Sequence, residues 1–168
     1  MIHNCILLLT PILKIAIAGL VLLAATRDIM TRTVPNWIPL TLAVLCTVLA
    51  TVDNRLVWGL GFGLTIFVIC FFCWKRGWMG GADVKLLGAA AIAVAPGDAE
   101  AFLLGVTLFG GALALAYLTG GRVLPRPGVK RPTALLPRIL RVEAWRIRHQ
   151  GPLPYACAIA AGTLFVLS

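Results

Sequence analysis

Apolar residues in this chain run in long blocks, and polar residues fall in the short gaps between them. Six blocks stand out: Ile6–Ala25, Trp37–Val52, Leu56–Trp74, Val84–Ala95 (with a start as early as Gly80), Ala101–Leu118 and Leu153–Leu167. A helix that crosses a bilayer needs about 20 apolar residues, and fewer where the membrane is locally thin. No alternation of period two competes with this reading, and lipid offers no partner to an open sheet edge. The pattern predicts an all-α polytopic membrane protein, one domain over residues 1–168 with about six transmembrane helices.

Two blocks are irregular. The first contains Pro11 and Lys14. A lysine in mid-membrane costs on the order of 2.5–3.5 kcal/mol on insertion scales. Lys14 either snorkels to an interface or lies before the effective start of the helix. The fourth block is short, and the charges of the gaps test whether it spans. Arg27 and Arg32 lie in the first gap; Lys75, Arg76 and Lys85 flank the third. The last gap carries Arg122, Arg126, Lys130, Arg131, Arg138, Arg141, Arg146 and Arg148. The second and fourth gaps hold Arg55 as their one base, beside Asp53, Asp98 and Glu100. The positive-inside rule then puts the odd gaps in the cytoplasm and both termini outside. A re-entrant fourth block would place the most basic loop outside, so that block is expected to cross a locally thin region. Its shortness puts Asp83 at or just below the membrane surface.

The cytoplasmic loops are then 26–36, 75–83 and 119–151. Within the last, Leu135, Leu136, Ile139, Leu140, Val142 and Ile147 share one helical face at 100° per residue. Arg138, Arg141 and Arg148 take the other, and Pro137 is tolerated in a first turn. This predicts a basic interfacial helix on the inner leaflet; a solvated basic loop is the alternative. The first block lacks a basic leading region and a small-residue cleavage site, so it reads as a retained helix and no cleaved signal.

Composition agrees with lipid as the solvent. The chain is 60% hydrophobic and 12% charged, against roughly 25% charged residues in soluble domains. Its net charge of +9 is gathered in the gaps, where it faces anionic lipid headgroups; nucleic-acid binding is not expected. Cys5, Cys46, Cys70, Cys73 and Cys157 lie mostly in apolar blocks, where cysteine behaves as a small hydrophobe. The Cys70-x-x-Cys73 pair lacks the second pair of ligands that zinc requires. No metal and no cofactor is expected.

Acids are scarce. Asp53, Asp98 and Glu100 sit in predicted external turns, where turn and cap duties suffice, and Glu143 lies among arginines. Asp28 ends the first helix in Thr26-Arg27-Asp28-Ile29-Met30-Thr31-Arg32-Thr33-Val34-Pro35-Asn36-Trp37, and Asp83 opens the fourth in Met79-Gly80-Gly81-Ala82-Asp83-Val84-Lys85-Leu86-Leu87. Both fall at the cytoplasmic face at similar depth. Two carboxylates in a partly dry cleft can share one proton, so that one serves as base and the other as acid. The glycines before Asp83 would let a substrate backbone come close. The structural alternative pairs Asp28 with Arg27 or Arg32 and makes Asp83 a helix cap beside Lys85.

The first of these segments, the second, and the later Gly151-Pro152-Leu153-Pro154-Tyr155-Ala156 together resemble the type IV prepilin peptidases. The likeness is to the short branch associated with tight-adherence (Flp-type) pili. It implies a GxGD-type intramembrane aspartyl endopeptidase of the bacterial plasma membrane, cutting the basic leader of a prepilin at the cytoplasmic face. By position, Asp28 and Asp83 would be the catalytic pair. Gly80, Gly81, Ala82, Lys85, Pro35 and Asn36 would form the active-site loop and substrate contacts. Ala82 stands where the family's element has its second glycine. The long branch's cytoplasmic insertion, with two CxxC pairs and N-methyltransferase activity, has no counterpart here. Expected partners are a Flp-type prepilin, membrane lipids and other pilus-assembly proteins. Two further readings stay open: a non-catalytic scaffold of pilus assembly, and a transporter or channel subunit, which would need acids deep in the bundle.

Overall fold

The computed structural model describes residues 2–123, 141–142, 144–147 and 153–167. The described residues fold into helices and contain no strand. α1 spans Ile2–Thr31, α2 Trp37–Val52, α3 Leu56–Lys75, α4 Gly81–Ala91, α5 Ala99–Val123 and α6 Tyr155–Leu167. A 3-10 turn, Pro96–Asp98, leads into α5. Three stretches are long and apolar enough to cross a membrane on their own: Leu9–Thr31, Leu56–Lys75 and Pro96–Gly120. α2 and α6 are shorter apolar helices. The chain is an integral membrane protein.

α4 is the hub: it packs against α3, α2 and α6, while α1 holds α2 and α6, and α5 lies on α6. Val84, Leu86, Leu87 and the small residues Gly88 to Ala91 of α4 are all buried. Its 11 residues give about 17 Å of helix at 1.5 Å per residue. The backbone then continues as tighter i→i−3 turns: Ile92 N–H to Ala89, Ala93 to Ala90 and Val94 to Ala91. Such a short segment survives at membrane depth because protein, not lipid, surrounds it.

The outer surface follows the opposite rule. Val57, Leu64, Phe72, Leu108, Leu115 and Phe165 are all more than half exposed. A continuous apolar exterior of this extent is a liability in water, whereas hydrocarbon accommodates it. Trp37, Trp74 and Trp78 are exposed at the helix ends near Asp28 and Asp83, as amphipathic rings are at a membrane boundary.

Glycines set the helix spacing. A Cβ on Gly59 would lie 2.6 Å from the Ile92 carbonyl oxygen, and one on Gly63 2.5 Å from Ile92 Cγ1. A Cβ on Gly162 of α6 would lie 2.8 Å from the Val106 nitrogen of α5. Small residues four apart on α3, and facing small residues between α5 and α6 (Gly105 and Gly162), let these backbones touch, as membrane helix pairs require.

Lys14 finds its partner at the far end of the bundle. Its Nζ donates to the Leu167 carbonyl oxygen at 2.9 Å, one of the carbonyls left open at a helix C-terminus. α6, with 13 residues, is about 20 Å long and ends level with Lys14 of the longer α1. The lysine caps it there.

α1 continues past Ala25 to Thr31, so Asp28 lies inside the last turn. The polar residues of that turn stay helical because Thr26 Oγ1 donates to the Leu22 carbonyl and Thr31 Oγ1 to that of Arg27, at 2.7 and 2.8 Å. Of the expected interfacial helix, Leu135, Leu136, Arg138, Ile139, Leu140 and Arg148 lie outside the described residues. Residues 141–142 and 144–147 are helical. Val142 and Trp145 point outward, and Arg146 Nη1 donates to the Ile29 carbonyl at 2.9 Å, tying this segment to the end of α1.

Candidate active site

Asp28 is buried, 8% exposed, and its carboxylate is held by another helix. α6 starts at Tyr155, directly after Pro154; the Tyr155 and Cys157 N–H groups turn back to the Leu153 and Pro154 carbonyls, which leaves the Ala156 N–H for a side chain. The Ala156 N–H donates to Asp28 Oδ2 at 3.2 Å. The carboxylate of α1 thereby caps α6. The backbone of α1 is closed at the same place: Arg32 N–H returns to the Asp28 carbonyl at 2.9 Å. Arg32 takes a left-handed conformation, φ 55°, the capping geometry usually left to glycine. For a side chain this costs on the order of 1–2 kcal/mol. It turns the chain away from the helix and sends the Arg32 guanidinium to the Tyr117 hydroxyl of α5, at 2.8 Å, with the ring centroid 5.9 Å away.

Asp83 lies in the first turn of α4, ahead of the apolar run that begins at Val84. Gly80 precedes the helix in an extended conformation. A Cβ there would sit 2.8 Å from Asp83 Oδ2, so the glycine leaves room for the carboxylate itself. Burial pushes the Asp83 carboxyl up to about 6; the nearby Asp28 charge adds to this and Arg32 opposes it. The cause is elementary: a half-dry site and a like charge both disfavour a second anion.

Asp28 and Asp83 open onto one cavity of about 860 Å³, shared with Gly80, Gly81, Ala82, Arg32, Tyr155 and Trp78. One carboxylate accepts a backbone N–H from a helix N-terminus, and the other is pushed up to about 6 by burial and its like-charged neighbour. That is the asymmetry a general base and a general acid need. Gly110 of α5 makes space for Tyr155, since a Cβ there would lie 3.1 Å from its ring.

The other expected site residues are elsewhere. Lys85 and Asn36 line a second groove on the opposite side of α4, where Lys85 Nζ donates to Asn36 Oδ1 at 2.9 Å. Pro35 is half-buried and lines neither space; its carbonyl accepts the Ile38 N–H at the start of α2. Arg32 and Tyr155 were legible only as members of longer motifs. The basic residue four positions after Asp28 was the signal for the first, and the Pro-rich entry to the last helix for the second. Cys46 and Cys70 are buried and Cys73 and Cys157 half-buried, none of them in a disulfide. Among the described residues no three His, Cys, Asp or Glu side chains gather as a metal site would require.

Fold and cavity together define an all-helical membrane protein with a carboxylate pair in a cavity at one end of its helices. The chain belongs to the type IV leader peptidase family, whose family model matches residues 15–115 and so includes both aspartates. It is therefore a membrane protease of the leader-peptidase type, with prepilin-like proteins as its substrate class. Neither the curated proteins nor the solved structures gave a match.

Proposed function

We propose that the chain is an intramembrane aspartyl endopeptidase that removes the basic leader of a Flp-type prepilin at the cytoplasmic face of the bacterial plasma membrane. The observation that carries this reading is the shared cavity of Asp28 and Asp83, with one carboxyl pushed up to about 6. On this reading residues 1–168 form a single six-helix unit with cytoplasmic loops at 26–36, 75–83 and 119–151. Cleavage is accomplished without an N-methyltransferase domain.

The chemistry follows from the proton count. The ionised aspartate takes a proton from water as the water oxygen adds to the scissile carbonyl carbon. The protonated partner gives its proton to the carbonyl oxygen. The resulting gem-diol collapses: one of its hydroxyls returns a proton to Asp83 as the C–N bond breaks and the leaving nitrogen takes the proton held by Asp28. Asp28, already an acceptor from Ala156, serves as the base in this scheme, and Asp83 as the acid. Gly80, Gly81 and Ala82 form the cavity edge over which an extended substrate backbone would lie. Arg32 stands where a developing negative charge on oxygen would be stabilised.

A transporter would require its acids to lie deep within the bundle, whereas this pair lies at one end. A pilus-assembly scaffold would not need the pair at all. Co-expression with a candidate prepilin, read as a size shift on a gel, separates the peptidase from both. The peptidase yields a shortened product; an unshortened prepilin across a panel of Flp-type candidates contradicts it.

A further inference from the structure

α4 divides two spaces. Asp83 faces the cavity just described, and Lys85, two residues on and so about 200° around the helix, faces the other. That second space is a groove of about 610 Å³ between α2, α3 and α4. Its walls are apolar, with Leu40, Ala43, Leu64 and Phe67 along the sides, and the small residues Gly63 and Gly88 among its lining. Lys85 and Asn36 stand at its mouth.

The mouth is rich in donors. Asn36 occupies the N-cap position of α2 but makes no side-chain cap; its oxygen instead accepts from Lys85 Nζ at 2.9 Å. Asn36 is exposed, so its amide N–H2 remains available as a donor, and an ammonium with three donors keeps two of them. Asn36 is the one polar contact of Lys85 among the described residues, and no described carboxylate pairs with it. Lys85 is exposed, and the mouth lies at the same end of the bundle as Trp37 and Asp28. That is the end at which the basic gaps collect and anionic lipid headgroups would be met.

We infer that this groove binds one anionic phospholipid of the inner leaflet, with an acyl chain lying between α2, α3 and α4 and the headgroup phosphate on Lys85 and Asn36. Charge complementarity selects the headgroup, and the apolar recess selects a chain over a soluble phosphate. The site is separate from the aspartate cavity, so the inference stands or falls independently of peptidase activity.

The test uses the purified full chain in mixed micelles containing equal amounts of dioleoyl phosphatidylglycerol and dioleoyl phosphatidylcholine, with retained lipids counted by native mass spectrometry. One phosphatidylglycerol should be retained in preference to phosphatidylcholine. Lys85→Gln should lower that preference about fivefold, the contribution of one basic residue at an anionic surface. Lys85→Arg should keep it. Lys75→Gln, at the exposed end of α3 beside Phe71, should leave it unchanged. Ala43→Phe, which fills the groove, should reduce retention of both lipids in a protein that remains monodisperse. An unchanged preference in Lys85→Gln, or an equal loss in Lys75→Gln, overturns the inference. So does a photo-crosslinker at Leu64 that captures a co-expressed prepilin and not lipid, because the groove would then hold the substrate helix.

Discussion

Gly80→Ala isolates the position of the catalytic carboxylate from the stability of the fold. Gly80 has φ −70° and ψ 140°, a conformation open to any residue, so the new methyl brings no backbone strain. Its Cβ would lie 2.8 Å from Asp83 Oδ2, where 3.4–4 Å is ordinary contact. The carboxylate must therefore retreat by roughly half an ångström. A misplacement of about 1 Å can cost a hundredfold in rate, so a loss of about tenfold in kcat is expected. The neighbouring Gly81→Ala meets the Trp74 indole nitrogen at 3.1 Å, away from the carboxylates, and should cost much less. The assay is leader removal by purified protein from a synthetic prepilin segment, with kcat and KM separated and melting temperature recorded alongside. Wild-type kcat in Gly80→Ala would refute the reasoning. An activity loss matched by a fall in melting temperature would refute it too, because the effect would then lie in the fold.

The pair should also show itself in pH dependence. Cleavage needs one proton on the pair, so the rate should fall as pH rises through about 6, where Asp83 loses its proton. It should fall again in acid as a second proton joins, with both apparent values belonging to the pair; a rate flat from pH 5 to 8 would contradict this. Because the folded carboxyl is raised above its ordinary value, its contribution to stability is lost as pH rises through that range. Asp83→Asn should therefore melt above the wild type at pH 7.5 and not at pH 4. Gly162→Leu forces α6 off α5 at Val106, where a Cβ would already lie 2.8 Å from backbone, and should cost about 1–3 kcal/mol in chemical denaturation. Gly111→Leu, with nothing within 4 Å, should be close to neutral, and equal effects would refute the packing account. Reporter fusions should read external at Gly97 and cytoplasmic at Gly120 and Gly151; the reverse pattern would part the aspartates from a cytoplasmic substrate.

The helices were legible because lipid demands long apolar runs. Trp37–Val52 was bounded to the residue, and Leu56–Trp74 missed only Lys75. α1 runs six residues beyond the apolar block at its C-terminal end, and four before it, since threonines that return their hydroxyls to the helix backbone look polar in sequence yet continue the helix. The two aspartates were legible because acids are rare here and these two fell at one predicted face. Lys85 was grouped with Asp83 by motif, although the 100° step of a helix already places residues two apart on different sides. The left-handed Arg32 was not legible, because this helix-closing position is usually taken by glycine. The donor to Asp28 was hidden too, being a backbone N–H that carries no side-chain signature.

The most direct measurement is leader cleavage by Asp28→Asn and Asp83→Asn, each co-expressed with a prepilin that the wild type shortens, with membrane levels followed by blot. Asparagine keeps the size and removes the ionisation. The Ala156 N–H can still donate to an amide oxygen at residue 28, so the helix contact is retained. The account predicts that both variants accumulate in the membrane and leave the prepilin uncut. Asp53→Asn and Asp98→Asn, at the other end of the bundle, should process it fully. Normal cleavage by either dyad variant would contradict the account and return that aspartate to a helix cap.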